Sequence, residues 1–420
     1  MAKTIKDTDY LVISARVKAL ETGLLTAERM EQILDAKSGE DAGKLLQEWG
    51  YPQLDPRRPE AMDAALSAVR EATLADLAEG TPDARYIDLF KVKYDYHNVK
   101  ALLKAEAVGT APDRMLMDMG RVSTAELAEA VRSRELDGLP ETLAAAVVEA
   151  REVLDTTRDP QLSDIVLDRW CYRDMAALAE ETGSAFLRGY VAVQVDAVNL
   201  RTAVRTLRMG KGADFLLGAL LEGGDLAPDA VAKAASSGAA GLRELYGATR
   251  FRDAAEAGAE ALKGGPLTAF EKLCDDAVGD YLAGAQSVPF GEAPLVSYLA
   301  ARETEYTNLR ILLMGRAAGI GLHPAHGGGK DRHRPGGDPH PPAGKLCVRR
   351  RRHGHNVSDR RDRQLGVRHG LSGPGTGDVS RHRPRGGPGD HPGAGKERRL
   401  RHHLSDGAAG KGPAGRAGPV

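Results

Sequence analysis

Histidine is almost missing from the first three quarters of this chain. Of its twelve histidines, only His97 lies before residue 319. A His-based metal centre or a Ser–His–acid triad in that stretch has no second imidazole to draw on, and no metal or other cofactor is expected. The three cysteines, Cys171, Cys274 and Cys347, are too few for a disulfide framework and fit a reducing compartment. No apolar run approaches the roughly 18 residues that a membrane-spanning helix needs. The opening MAKTIKDTDYLVISARVKAL has no apolar segment of signal-peptide form. The expectation is a cytoplasmic chain, soluble or peripheral to the membrane, without direct insertion. HExxH, paired CxxC and GxSxG motifs are missing. GGGKD at 327–331 and GAAGKG at 407–412 lack the Ser or Thr, and the strand–loop–helix setting, of a phosphate-binding loop. No catalytic residue is therefore assigned.

What is there divides into two unlike parts. Residues 1–318 carry 37 Lys and Arg against 51 Asp and Glu, a net charge of −14. They are rich in Ala, Leu and Glu and poor in hairpin turn signals, which is a helical composition. Residues 319–420 carry 21 basic against 8 acidic residues, a net of +13, with 11 histidines, 24 glycines, 11 prolines and no Phe, Tyr or Trp. Such a segment cannot bury enough apolar surface to offset the entropy of ordering its backbone. Its mixture of Arg, Gly, Pro, His and Ala is what GC-rich coding sequence yields when translated out of frame. The expectation is a disordered basic tail produced by a frameshift near residue 320. The competing readings are an authentic disordered tail and a nucleic-acid-binding arm.

The folded part repeats itself. DYHNVKALL (95–103), DAVNLRTAV (196–204) and EYTNLRILL (305–313) share an acid, two variable residues, Asn, a branched apolar residue and a base. The asparagines Asn98, Asn199 and Asn308 are 101 and 109 residues apart, a domain-sized period. Aligned on Asn, the stripes read Leu89, Val92, Tyr96, Val99, Leu103; Tyr190, Val193, Ala197, Leu200, Val204; and Leu299, Arg302, Tyr306, Leu309, Leu313. A 3, 4, 3, 4 spacing places each set on one face of a helix, with Arg302 the single break. Asp95, Asn98 and Leu102 occupy an adjoining face, which implies helices with neighbours on more than one side. Each unit also opens alike, with GLLTAE at Gly23, GRVSTAE at Gly120 and GDLAPD at Gly224. Thr26, Ser123, and Pro228 with Asp229, are helix-start signals. The expected fold is all-α, with helical units 1–112, 113–214 and 215–318. Asp95, Asn98, Asp196, Asn199, Glu305 and Asn308 recur in quasi-equivalent positions, which favours a structural polar network over catalysis. The third motif helix presents Leu309, Leu312 and Leu313, and the written tail offers no periodic apolar partner. The third unit is therefore expected to lack its closing helix.

YIDLFKVKYDYHNVKALLKAE (86–106), VDAVNLRTAVR (195–205) and ETEYTNLRILLMGRAAGI (303–320) resemble, in order, the three motifs of the C subunit of V/A-type ATPases, which is homologous to the eukaryotic d subunit. The resemblance covers about 1–320. It implies three helical bundles arranged as a pseudo-threefold funnel that caps the membrane rotor ring on its cytoplasmic side. It further implies a non-catalytic connector, one copy per complex, that joins central-stalk subunits to that ring in proton or sodium transport. Family members end soon after the third motif in a short closing helix, where this chain has GLHPAHGGGKDRHRPGG. Neither the ion nor the direction of ATP turnover follows from the resemblance. Exposed basic positions on the motif helices, Lys100, Arg201 and Arg310, are candidates for binding partners, against a plain reading as solvated charges. The alternative class is a helical scaffold or adaptor that binds other protein helices. The acidic net charge of 1–318 argues against nucleic acid.

Overall fold

The computed structural model describes residues 5–55, 58–112 and 115–317. All of these belong to one compact unit. The reading of 319–420 as a disordered, out-of-frame tail falls outside the described residues. Among the described residues there are fifteen α-helices and no strand.

In chain order the helices are α1 (Leu11–Glu21), α2 (Ala27–Asp35), α3 (Gly39–Glu48), α4 (Pro59–Gly80), α5 (Arg85–Val108), α6 (Thr124–Ser133), α7 (Glu141–Thr157) and α8 (Pro160–Thr182). They continue as α9 (Ala185–Arg208), α10 (Ala213–Ala219), α11 (Pro228–Ser236), α12 (Gly238–Tyr246), α13 (Arg252–Leu262), α14 (Thr268–Ala283) and α15 (Glu292–Ala317). The start signals act where the sequence places them. The Thr26 hydroxyl accepts from the Arg29 N–H at 3.2 Å, Ser123 accepts from Glu126 at 3.2 Å, and Pro228 opens α11. Each satisfies or removes an orphan donor of a first turn. Near the expected boundaries between units, a left-handed Gly109 ends α5, and Gly210, also at positive φ, lies just past α9.

The three motif helices are α5, α9 and α15. Every apolar member of their stripes is buried, and so are Asp95, Asn98 and Leu102 on the adjoining face of α5. Along each helix the two halves face different neighbours, and in α9 and α15 they belong to two separate cores. The amino-terminal halves of all three contribute to one shared cluster, with Phe90 of α5 stacked on Tyr190 of α9 and with Leu295, Val296 and Leu299 of α15. The carboxy-terminal halves diverge. That of α5 packs with α6, α7 and α8. That of α9 packs with α10 to α14.

The third corrects an expectation. Leu309, Leu312 and Leu313 do not wait for a partner from the tail. They are buried at 0%, 0% and 2% exposure against Leu25, Met30, Ile33, Leu46, Met62 and Leu66 of α2, α3, α4 and the loop ahead of α2. The last motif helix among the described residues thus closes the bundle formed by α2, α3 and α4.

Candidate functional site

The polar positions singled out in the motifs form three joints. In the first, the Asp95 carboxylate accepts the backbone N–H groups of Arg121 and Val122 at 2.9 and 3.2 Å and the Arg121 Nε at 2.7 Å. Arg121 continues to Asp174 of α8 at 2.6 and 3.1 Å, where the Tyr96 hydroxyl also donates. Asn98 brackets Met117, giving Nδ2 to its carbonyl and taking its N–H, both at 2.8 Å. In the second joint Asp196 accepts the N–H groups of Asp225 and Leu226 at 3.1 and 3.2 Å. Asn199 brackets Leu221 with the same pair of 2.8 Å bonds. In the third, Glu305 accepts the N–H of Leu25 at 2.7 Å and the hydroxyl of Tyr51, and Arg302 pairs with it. Arg302, the break in the apolar stripe, is therefore part of this joint.

Each acid holds the segment that leads into a bundle. Asp95 on α5 holds the lead into α6, Asp196 on α9 the lead into α11, and Glu305 on α15 the lead into α2. The order is cyclic. In the first two joints the acid and the asparagine grip different points of one incoming segment rather than each other. Asn308 is fully buried and interacts, like its two counterparts. Replacing Asn98 or Asn199 with Ala should cost about 1–3 kcal/mol each, because both a backbone donor and a backbone acceptor lose their partner. The effect of Asn199→Ala should be the larger, since Leu221 is buried and Met117 only partly so. Thermal melts that do not respond would remove the structural role.

The glycines that open the units now have a reason. A Cβ on Gly120 would stand 2.0 Å from Asp95 Oδ1, and one on Gly224 would stand 2.2 Å from Asp196 Oδ1. On Gly23 the nearest atom would be the Leu20 carbonyl oxygen at 3.4 Å, an ordinary contact. Gly120→Ala and Gly224→Ala should each destabilise by about 1–3 kcal/mol, as overpacked sites do. Gly23→Ala should be close to neutral, and equal effects at all three positions would contradict the geometry.

The basic candidates Lys100, Arg201 and Arg310 each have an acidic partner within the chain. Lys100 reaches Asp168 of α8 at 2.5 Å, Arg201 reaches Glu271 and Asp275 of α14 at 2.9 and 2.7 Å, and Arg310 pairs with Asp63 of α4. At equivalent positions, two after Asn, all three tie a motif helix to the last helix of its bundle.

One centre escaped the sequence reading. Glu303 of α15 is buried among Arg70 of α4, the Tyr94 hydroxyl at 3.0 Å and Lys93 at 2.6 Å. Arg70 lies over the Tyr94 ring, its centre 4.5 Å away, and also donates to the carbonyls of Phe90 and Met119. Burial alone would raise the Glu303 carboxyl, but Lys93 and Arg70 outweigh it and hold it below the usual range. The signal was present: Arg70 interrupts the apolar face Met62, Leu66, Leu74, Leu77 of α4. Among the described residues, no group of three or more His, Cys, Asp or Glu is placed to hold a metal, and no helix is long and apolar enough to cross a membrane.

All three joints lie within residues 13–321, the span that matches the family described as ATP synthase (C/AC39) subunit. The chain belongs to that family. Its relatives include the C subunit of the V-type sodium ATPase of Enterococcus hirae, 25% identical over 315 residues that cover 73% of this chain and 94% of that protein. The C subunit of the V-type ATP synthase of Thermus thermophilus is 28% identical over 333 residues, covering 75% of this chain and 95% of that one. The C subunit of the A-type ATP synthase of Methanocaldococcus jannaschii is 24% identical, with 73% and 82% covered. A C/AC39 subunit is a non-catalytic part of a rotary ATPase.

Proposed function

We propose that this chain is the connector of a rotary V/A-type ATPase, joining central-stalk subunits to the membrane rotor ring. It would act as one copy per complex on the cytoplasmic face of the membrane, in proton or sodium transport. The repeats 1–112, 113–214 and 215–318 would stand around a pseudo-threefold axis as a funnel. The observation that carries this reading is the cyclic order of the three joints. A part that passes torque must not shear between its repeats. Buried acid-to-backbone bonds at each junction, the last returning to the first, resist such shear better than an open row of bundles. Because Lys100, Arg201 and Arg310 are engaged within the chain, they support docking only through their exposed edges, or after exchanging partners.

The test is reconstitution. The purified chain should bind detergent-solubilised rotor ring together with stalk subunits and hydrolyse no ATP by itself. Binding to unrelated helical proteins with none to ring or stalk would favour an adaptor, and tight salt-sensitive DNA binding would overturn the assignment. For the tail, a one-base shift near codon 320 should restore a short closing helix rich in Glu, Arg and Leu and then a stop codon. A coding sequence without such a frame would end the frameshift idea.

A further inference from the structure

The three joints differ in one respect. Asp95 has the Arg121 guanidinium and Glu305 has Arg302. Asp196 is also buried, at 3% exposure, yet it receives only two backbone N–H groups, and no cation among the described residues forms an ion pair with it. The position after the joint's glycine is Arg121 in the first joint and Asp225 in the second. An acid therefore stands where the first joint has its cation. The surrounding groups do not make up for it. On the leading loop, Asp225 is exposed and of the same sign, and Glu222 turns to Arg173 of α8 at 3.5 Å. On α12, the Tyr246 hydroxyl is buried with no hydrogen-bond partner among the described residues. On α14, the Tyr281 hydroxyl donates to the Phe186 carbonyl, its ring lies under Arg250, and Asp275 is held by Arg201. Burial pushes Asp196 up to about 6, with the two backbone bonds opposing it only in part. Burial holds Asp95 above its ordinary range as well, but there Arg121 opposes the rise.

We propose that the joint between α9 and the third bundle is a proton-dependent clasp, firm while Asp196 carries a proton and looser once it ionises. A carboxyl held above its ordinary range when buried stabilises the closed joint fully below that range. The contribution is lost as pH rises through about 6. Opening exposes the anion to water, so the ionised form favours the open state. In the other two joints an arginine pairs with the acid and offsets part of the cost of burying its charge. The molecule thus has two junctions clamped by an arginine and one, without a cation, whose grip responds most to pH, a local opening rather than global unfolding.

Amide exchange of the full chain, followed peptide by peptide and corrected for the intrinsic pH dependence of exchange, tests this. Between about pH 4.5 and 7, opening of the segment that holds Asp225 and Leu226 should rise at least about tenfold, the size that a shift of this direction and extent produces. Segments around Leu25 and Val122 should change much less. Asp196→Asn, which keeps an acceptor oxygen but cannot ionise, should abolish the extra response, and Asp225→Arg should suppress it. Equal responses at the three joints, or a response that survives Asp196→Asn, would overturn the proposal. A response unchanged by Asp225→Arg would show that the missing cation is not its cause. If either variant is too unstable to study, the comparison of the three segments in the unaltered chain still decides the matter.

Discussion

A chain that ends after Arg302 should fail to fold its first bundle, whereas a chain that ends after Ala317 should melt with the full-length protein. The shorter chain loses Tyr306, Leu309, Leu312 and Leu313, all buried against α2, α3, α4 and the loop ahead of α2. Burying such side chains contributes about 1.5–3 kcal/mol each, so the four together approach the roughly 5–15 kcal/mol that holds a whole domain. The same cut removes Glu305 from the Leu25 N–H and the Tyr51 hydroxyl, and Arg310 from Asp63. Circular dichroism and thermal melting would read the result. A cooperative, near-native melt for the chain ending at 302 would show that α15 does not close the first bundle. A large drop for the chain ending at 317 would show that residues beyond it support the fold.

Glu303→Ala should cost about 3–5 kcal/mol, as removal of one member of a buried ion pair does. It would leave Arg70, whose side chain is 4% exposed and which ties α4 to Phe90 of α5 and to Met119, with the 37% exposed Glu71 as its remaining acid. Arg70→Ala should be of similar size, because it would leave a buried carboxylate with Lys93 and Tyr94 only. Lys93→Ala should matter far less, since its side chain is 45% exposed and its pairing is shared with water. Replacing Arg70 and Glu303 together with apolar residues of similar volume should recover most of the loss. The pH dependence has the opposite sign to that of the second joint. A carboxyl held below its usual range stabilises the fold at and above that range, and the contribution is lost only as pH falls below it toward the lowered value. Acid should therefore weaken the Glu303 centre while it strengthens the Asp196 joint. Urea melts of Glu303→Gln from about pH 2 to 5 and of Asp196→Asn from about pH 4 to 7, each compared with the unaltered chain, should show these opposite trends.

Much of the secondary structure was legible from local pattern. The 3, 4 spacing around Asn98, Asn199 and Asn308 marks helices that are buried along that face, and Thr26, Ser123 and Pro228 mark helix starts. The recurrence of an acid three residues before Asn marked the polar positions of the joints. It could not say what they hold, because Leu25, Arg121, Val122, Asp225 and Leu226 take part through backbone N–H groups, which every residue but proline carries. The Glu303 centre was missed for a related reason. Arg70 and Glu303 are 233 residues apart, and each alone is only a charged residue beside an apolar stripe.

By itself the sequence determined that the body is helical, that it is built from three related units, and which residues in each are special. These features rest on interactions within a few residues along the chain, and periodicity records them. Only the tertiary structure decided that α15 belongs to the bundle of α2, α3 and α4, so that Glu305 meets Leu25 and the leucines that follow need no partner from the tail. That choice comes from apolar faces competing for burial across some 280 residues of separation. A long amphipathic helix states that it has a face to cover, but its spacing does not name the partner, and here the first bundle was the one left open.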